Sequence, residues 1–132
     1  MLTILLANLN YYNMKTIELT HDLIVHILSG AFTGSYWIDG IDYAESSKQI
    51  TRNPNDCLED ILAKILEKGL SFDIIDTEDE YYNLTKEKLE NGLQIVQEKY
   101  PDFYKDFVEE NGDYYTYDAI LQCALFDDII FG

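Results

Sequence analysis

The chain has 132 residues, and its 25 acidic and 9 basic side chains give a formal net charge of −16 at pH 7. Hydrophobic residues make up 47% of the sequence, which is enough for the core of one domain and excludes a disordered acidic chain. Such a charge excludes binding to nucleic acid and to the anionic inner face of a membrane, and it favours binding to basic protein surfaces.

The N-terminal part of the chain predicts a short strand followed by a helix. Met14 is a second candidate start, so residues 1–13 are interpreted as an extension and residues 14–132 as a single domain. A strand is predicted from Thr16 to Leu19, and Thr20 is a suitable N-cap for the helix that follows. The apolar face of this helix consists of Leu23, Ile24, Ile27 and Leu28.

Turn and loop signals separate this helix from the next one. Gly30 is predicted to end the first helix, residues 34–39 to be a turn that enters a strand, and residues 39–55 to be a loop. Asn55 or Asp56 then caps the helix with the most regular spacing in the chain. Its buried stripe consists of Leu58, Ile61, Leu62, Ile65 and Leu66.

The middle of the chain predicts a β-hairpin and a third helix. Gly69 ends the second helix, and apolar residues at 70–75 predict a strand. The acidic residues that follow form a turn, and Tyr81 to Leu84 is the returning strand. Thr85 caps the third helix. The buried side of that helix consists of Leu89, Leu93, Val96 and Tyr100.

The C-terminal part predicts two more helices. Pro101 stands at the first position of a helix that runs from Asp102 to Glu110, and the last helix spans roughly residues 117–127. Residues 129–131 are predicted either to add a short strand or to pack against the core. Together these elements predict an α+β fold, in which a small antiparallel sheet packs with four or five helices.

The sharpest local feature is an acidic strip in the predicted fourth helix. At 100° per residue its carboxylates fall on one side of the helix, about 6 Å apart from turn to turn. That spacing is similar to the spacing of phosphates along a nucleic-acid strand, so the strip is a candidate partner-binding surface. A solvated face that only aids solubility has the same pattern. The strip consists of Asp102, Asp106, Glu109, Glu110 and Asp113.

A second acidic cluster lies at the tip of the predicted hairpin. Tyr81 and Tyr82 follow it directly, and Tyr114 and Tyr115 stand beside the acidic strip in the same way. Tyrosine provides contact area and a hydroxyl group at protein interfaces, so these side chains are candidate partner-binding residues, unless they only pack. The carboxylates of the cluster are Asp73, Asp76, Glu78, Asp79 and Glu80.

Catalytic and metal-binding signatures are absent from the sequence. There is no nucleophile motif, zinc-protease motif or glycine-rich phosphate loop, so we expect a protein that is not an enzyme and needs no cofactor. His21 and His26 are five residues apart and point about 140° away from each other on a helix, which argues against a metal site. Cys57 and Cys123 are predicted to be buried, reduced thiols of a cytoplasmic protein.

Three segments resemble a group of small proteins that are encoded by phages and mobile elements of low-GC Gram-positive bacteria. The segments are residues 34–38 (GSYWI), residues 82–92 (YNLTKEKLENG) and the C-terminal residues 120–132 (ILQCALFDDIIFG). The resemblance covers most of residues 14–132 and implies a phage or mobile-element origin. It implies no catalytic residue, because the shared motifs are structural.

The charge and the resemblance together predict an inhibitor of a host nuclease. Small acidic phage proteins of this kind are similar to anti-CRISPR proteins, which implies binding to the basic DNA-binding groove of an RNA-guided nuclease by mimicry of DNA. The alternative is a phage regulatory or adaptor protein that binds a host protein through tyrosine and aliphatic side chains. A third class, an enzyme without recognisable motifs, is the least favoured.

Overall fold

Helices and strands alternate irregularly in the computed structural model, which describes residues 18–132. The elements are α1 His21–Gly34, β1 Ile38–Asp42, α2 Ala44–Ser47, α3 Leu58–Glu67, β2 Phe72–Asp76, β3 Tyr81–Leu84, α4 Lys86–Lys99, α5 Pro101–Val108 and α6 Tyr114–Phe126. The predicted α+β class with a small antiparallel sheet is confirmed. The predicted extension at residues 1–13 and the first two residues of the predicted first strand lie outside the described residues, and the last two residues of that strand, Glu18 and Leu19, are not in a strand.

The three strands form one antiparallel sheet in the order β1-β2-β3, with the predicted hairpin as two of its strands. Side chains alternate between the two faces, because successive residues of a strand point to opposite sides. Phe72, Ile74 and Leu84 point into the core and are at most 2% exposed. On the opposite face, Tyr81 is 57% exposed, so that face of the sheet is open to solvent in the described part of the chain.

Helix α6 is the central element of the core. It packs against α1, α4 and α5, and its residues are buried on nearly every side. A helix that is buried all round has no clear apolar stripe, so sequence periodicity misses its first turn. The structure therefore corrects the predicted start from Tyr117 to Tyr114. The buried residues of α6 are Thr116, Tyr117, Ala119, Ile120, Leu121, Gln122, Cys123 and Ala124.

The prediction that α1 ends at Gly30 is wrong. This glycine lies inside the helix, where its lack of a side chain allows α6 to pack closely. A Cβ atom on Gly30 would lie 2.2 Å from a ring carbon of Tyr117, and one on Gly34 would lie 2.2 Å from a ring carbon of Tyr114. The two glycines are one turn apart and let two tyrosines of α6 lie directly on the backbone of α1. The helix therefore continues through both of them to Gly34.

Several predicted caps are confirmed and two boundaries are corrected. Thr20 and Thr85 cap α1 and α4 through their hydroxyl groups, as predicted. Cys57 rather than Asn55 or Asp56 is the N-cap of α3, and its exposed thiol contradicts the predicted burial. The predicted loop at 39–55 contains the end of β1 and the short helix α2, both named above.

The C-terminal tail packs and adds no strand. The amides of Ile130 and Phe131 donate to the Gln122 side chain at 2.9 and 2.8 Å. The Phe131 ring stacks on Trp37, with 4.8 Å between the ring centroids and 6° between the ring planes. The side chain of a buried glutamine thus satisfies the backbone of the tail, which resolves the two alternatives for residues 129–131.

Substitution of Gly92 by alanine tests the close packing of α4 on α6. The added Cβ would lie 2.5 Å from the backbone nitrogen of Ala124, so the two helices must separate. We expect Gly92→Ala to lower the free energy of unfolding by about 1–3 kcal/mol, in spite of the gain of about 1 kcal/mol in helix propensity. Chemical denaturation measures the change. Asn91→Ala, at an exposed neighbouring position, is the control and should cost less than about 0.5 kcal/mol.

Candidate functional site

The predicted acidic strip is not one continuous helix face. Helix α5 ends at Val108, and Glu110 takes a left-handed conformation with φ of 59°. The amide of Glu110 donates to the Phe107 carbonyl at 3.2 Å, and the amide of Asn111 donates to the Asp106 carbonyl at 2.8 Å. This pair of bonds is a Schellman motif, which satisfies the last carbonyls of a helix and turns the chain away from its axis.

The five carboxylates of the strip therefore belong to different structures. Asp102 and Asp106 lie on α5, whereas Glu109 and Glu110 lie in the turn that ends it. Asp113 is the N-cap of α6, and its carboxylate accepts hydrogen bonds from the amides of Tyr115 and Thr116 at 3.0 and 3.2 Å. The predicted single row of carboxylates over residues 102–113 is wrong.

Asp76 belongs to the interior of the hairpin turn, although it was predicted as a partner-binding residue. It is 4% exposed. Its carboxylate accepts hydrogen bonds from the amides of Glu78 and Glu80 at 2.8 and 3.0 Å and from the Tyr82 hydroxyl at 2.7 Å. The hydrogen bond from the Tyr82 hydroxyl, and after it the bonds from the two amides, hold the pKa of Asp76 below its usual range, although burial acts in the opposite direction. The same bond and burial raise the pKa of Tyr82 to about 12.

The remaining hairpin carboxylates lie either on the outer face of the sheet or in the exposed turn. Asp42 on β1 and Asp73 on β2 are directly paired, so their side chains point to the same side of the sheet. Asp73 accepts one hydrogen bond, from the Asn83 amide at 2.9 Å. The sequences of the three strands and of the hairpin turn contain no Lys or Arg. We call the outer face of the sheet together with the adjoining exposed hairpin turn the anionic sheet face, and it consists of Asp42, Asp73, Glu78, Asp79, Glu80 and Tyr81.

A second candidate surface is an aromatic cavity of about 190 Å³ at the start of α6. Tyr114 and Tyr115, both predicted as partner-binding residues, are 42% and 60% exposed there, and Tyr36 is 69% exposed. Phe103 adds a further aromatic ring to the lining of this cavity, and Asp118 adds a carboxylate. The sequence analysis did not identify Tyr36 and Asp118 as site residues. They are more than 80 residues apart in the chain, and only the packing of α1 on α6 brings them together.

A histidine between two carboxylates was also missed. His21 at the start of α1 contacts Asp60 through Nε2 at 3.0 Å and Glu67 through Nδ1 at 2.5 Å. The hydrogen bond with Asp60 is the largest of the effects that raise the pKa of His21 above its usual value, and the contact with Glu67 adds to it. The only sequence signal was a histidine in the first turn of a helix. In the described ranges, no group of three or more His, Cys, Asp or Glu side chains is arranged to hold a metal ion.

No protein-family model, curated protein or solved structure matches this chain. The resemblance to phage and mobile-element proteins therefore stays a prediction. Among residues 18–132, no helix is both long enough and apolar enough to cross a membrane.

The His21 contacts predict a pH dependence of stability near neutrality. Since the pKa of His21 is raised on folding, its contribution is fully present below the unfolded-state value of 6.5 and is lost as the pH rises through the folded-state pKa. We expect the stability difference between wild type and His21→Gln to shrink as the pH rises through that range, measured by denaturation at each pH. His26→Gln, which removes an exposed histidine, is the control. An equal difference at all pH values would contradict the prediction.

Proposed function

We propose that this protein binds a basic, nucleic-acid-contacting surface of another protein through its anionic sheet face and thereby competes with the nucleic acid. The observation that carries the proposal is the direct pairing of Asp42 with Asp73 on an open sheet whose strands contain no basic residue. Like charges at directly opposed positions destabilise a sheet. Within residues 18–132 neither carboxylate forms an ion pair, and a local cost that no ion pair offsets is typical of a functional surface.

The geometry of a sheet suits this role. Side chains at directly paired positions have Cβ atoms about 5 Å apart, so their carboxylates are dense enough to meet Lys and Arg side chains that hold successive phosphates. Glu78, Asp79 and Glu80 extend the same charge beyond the strands and are exposed. The bonds of Asp76 within the turn fix the position of this tip, which lowers the ordering cost of binding.

The partner that we propose is an RNA-guided nuclease, with the protein acting as an inhibitor of target-DNA binding. The support for this class is the sequence resemblance to phage-borne proteins and the net charge of −16. The positively charged channel of such a nuclease normally holds a nucleic-acid backbone. An anionic protein that fills the channel needs no catalysis to block the enzyme.

A second candidate function is an adaptor that binds a protein through tyrosine and aliphatic side chains. The clustering of exposed Tyr36, Tyr114 and Tyr115 favours it. Contacts of this kind depend little on salt, whereas binding between exposed charges weakens as salt screens them. The salt dependence of partner binding therefore separates the two functions.

A charge-reversal variant of the sheet face tests the proposal. Asp42→Lys, Glu78→Lys and Glu80→Lys together change three exposed side chains. We expect this variant to lose capture of nucleic-acid-binding proteins from a low-GC Gram-positive lysate, and to lose inhibition of DNA binding by a guide-loaded nuclease. Wild-type capture should be strong at about 50 mM salt and weak at about 500 mM salt. Circular dichroism checks that the variant is folded.

The matched control variant changes the net charge by the same amount, but at three residues of the predicted acidic strip. Its substitutions are Asp102→Lys, Asp106→Lys and Glu109→Lys. It should bind like the wild type. Loss of binding in this control alone would move the interface to α5, and unchanged capture by the sheet-face variant would disprove the proposed function.

A further inference from the structure

We propose that the cavity at the start of α6 is a binding site for an arginine side chain presented by a peptide or protein. The site, which we call the aromatic cage, consists of Tyr36, Phe103, Tyr114, Tyr115 and Asp118. None of these residues lies in the sheet, so the inference is independent of the proposed role of the anionic sheet face.

The fold holds the walls of the cage in place. Tyr114 lies against Gly34 of α1, where any side chain on the glycine would collide with its ring. The rings of Tyr114 and Tyr115 are in contact, with centroids 4.3 Å apart and planes inclined by 38°. Tyr36 donates its hydroxyl hydrogen to the carbonyl of Gly132 at 3.1 Å. The walls are thus positioned by contacts within the chain, while large parts of their rings stay exposed.

Asp118 supplies a carboxylate at the cavity. Three donors hold it: the Ser35 hydroxyl, the Trp37 indole Nε1 at 2.8 Å and the Gln122 amide at 2.6 Å. A carboxylate accepts about four hydrogen bonds, so there is capacity for one more donor. All three partners are uncharged, and no ion pair of Asp118 occurs within residues 18–132.

Aromatic rings beside a carboxylate favour an organic cation as the ligand of the cavity. Cations are attracted to the faces of tyrosine rings, and this attraction grows when the cation leaves water. A guanidinium group fits better than an ammonium group, because it is planar, stacks on rings and is more weakly hydrated. The strong net negative charge of the chain attracts cationic ligands over a longer range.

The size of the cavity points to the end of a side chain rather than to a cofactor. Its volume is about 190 Å³, whereas pockets for drug-sized ligands have about 300–1,000 Å³. The ligand is therefore an arginine that is part of a larger chain, with its backbone outside the cavity. A basic protein partner is rich in such side chains.

Trp37 provides a direct readout for a binding experiment. It is the single tryptophan of the sequence, so the protein has one indole N–H resonance, and that N–H donates to Asp118. We expect titration with Nα-acetyl-L-arginine methylamide to shift this resonance saturably. The matching citrulline derivative has nearly the same shape and no charge, and it should bind at least about tenfold more weakly.

Two variants test whether the shift of the Trp37 resonance comes from binding in the aromatic cage. Asp118→Asn should abolish the difference between arginine and citrulline, because it removes the charge of the carboxylate, and Tyr115→Leu should reduce this difference, because it removes one exposed wall. Tyr115→Leu keeps the test valid if Asp118→Asn fails to fold, since its side chain is 60% exposed. Tyr81→Leu removes a similarly exposed tyrosine from the sheet and should change nothing.

Two results would overturn the inference: no saturable shift with the arginine derivative, or equal binding of arginine and citrulline by the wild type. The triple charge reversal of the sheet face should keep the saturable shift and the preference for arginine over citrulline, because both come from the cage, while the long-range attraction by the net charge becomes weaker. The experiments can thus disprove arginine binding by the aromatic cage and partner binding by the anionic sheet face separately.

Discussion

The close contact of α6 with α1 and α4 is the constraint on which the rest of the structure depends. Three helical glycines permit it: Gly30 and Gly34 lie under tyrosine rings of α6, and Gly92 lies against the backbone of Ala124. Glycine in a helix costs about 1 kcal/mol relative to alanine. That cost is offset by the burial of a central helix on nearly all sides, since buried apolar area is the main source of folding stability.

Both candidate surfaces take their geometry from this arrangement. Helix α6 carries Tyr114 and Asp118 to the C-terminal end of α1, where Gly34 lies under the Tyr114 ring and Ser35 and Trp37 donate hydrogen bonds to Asp118. Its last turn brings the Phe126 ring to Tyr82, at a centroid distance of 4.7 Å, and so supports the inner face of the hairpin. One face of the sheet is thus committed to the core, which leaves the other face, with Asp42 and Asp73, open to solvent.

Local signals allowed most of the fold to be predicted from the sequence. The stripe of α3, the threonine caps and the hairpin depend on residues close together in the chain, and the structure has them where the patterns place them. The wrong predictions arise where residues far apart in the chain determine the local structure. Gly30 looks like a helix end because its partner Tyr117 is far along the chain, and α6 lacks a stripe because three helices surround it. The aromatic cavity combines residues from α1, α5 and α6, a juxtaposition that no local pattern contains.

The acidic residues show why net charge locates a binding surface poorly. A short carboxylate at a turn or a helix start accepts hydrogen bonds from nearby amides, and Asp113 and Asp76 both do so. Their positions in the sequence indicate this role, because Asp113 directly precedes a helix and Asp76 stands two and four residues before the amides that it binds. The carboxylates of Asp113 and Asp76 are thus engaged by backbone amides of their own turns, and Asp76 is also buried, so both are poor candidates for a partner-binding surface. Asp42 and Asp73 point instead to the outer face of the sheet, where neither forms an ion pair in the part of the chain that the structure describes, residues 18–132, and Asp73 accepts a hydrogen bond from the neutral Asn83 amide. The search for function therefore belongs there.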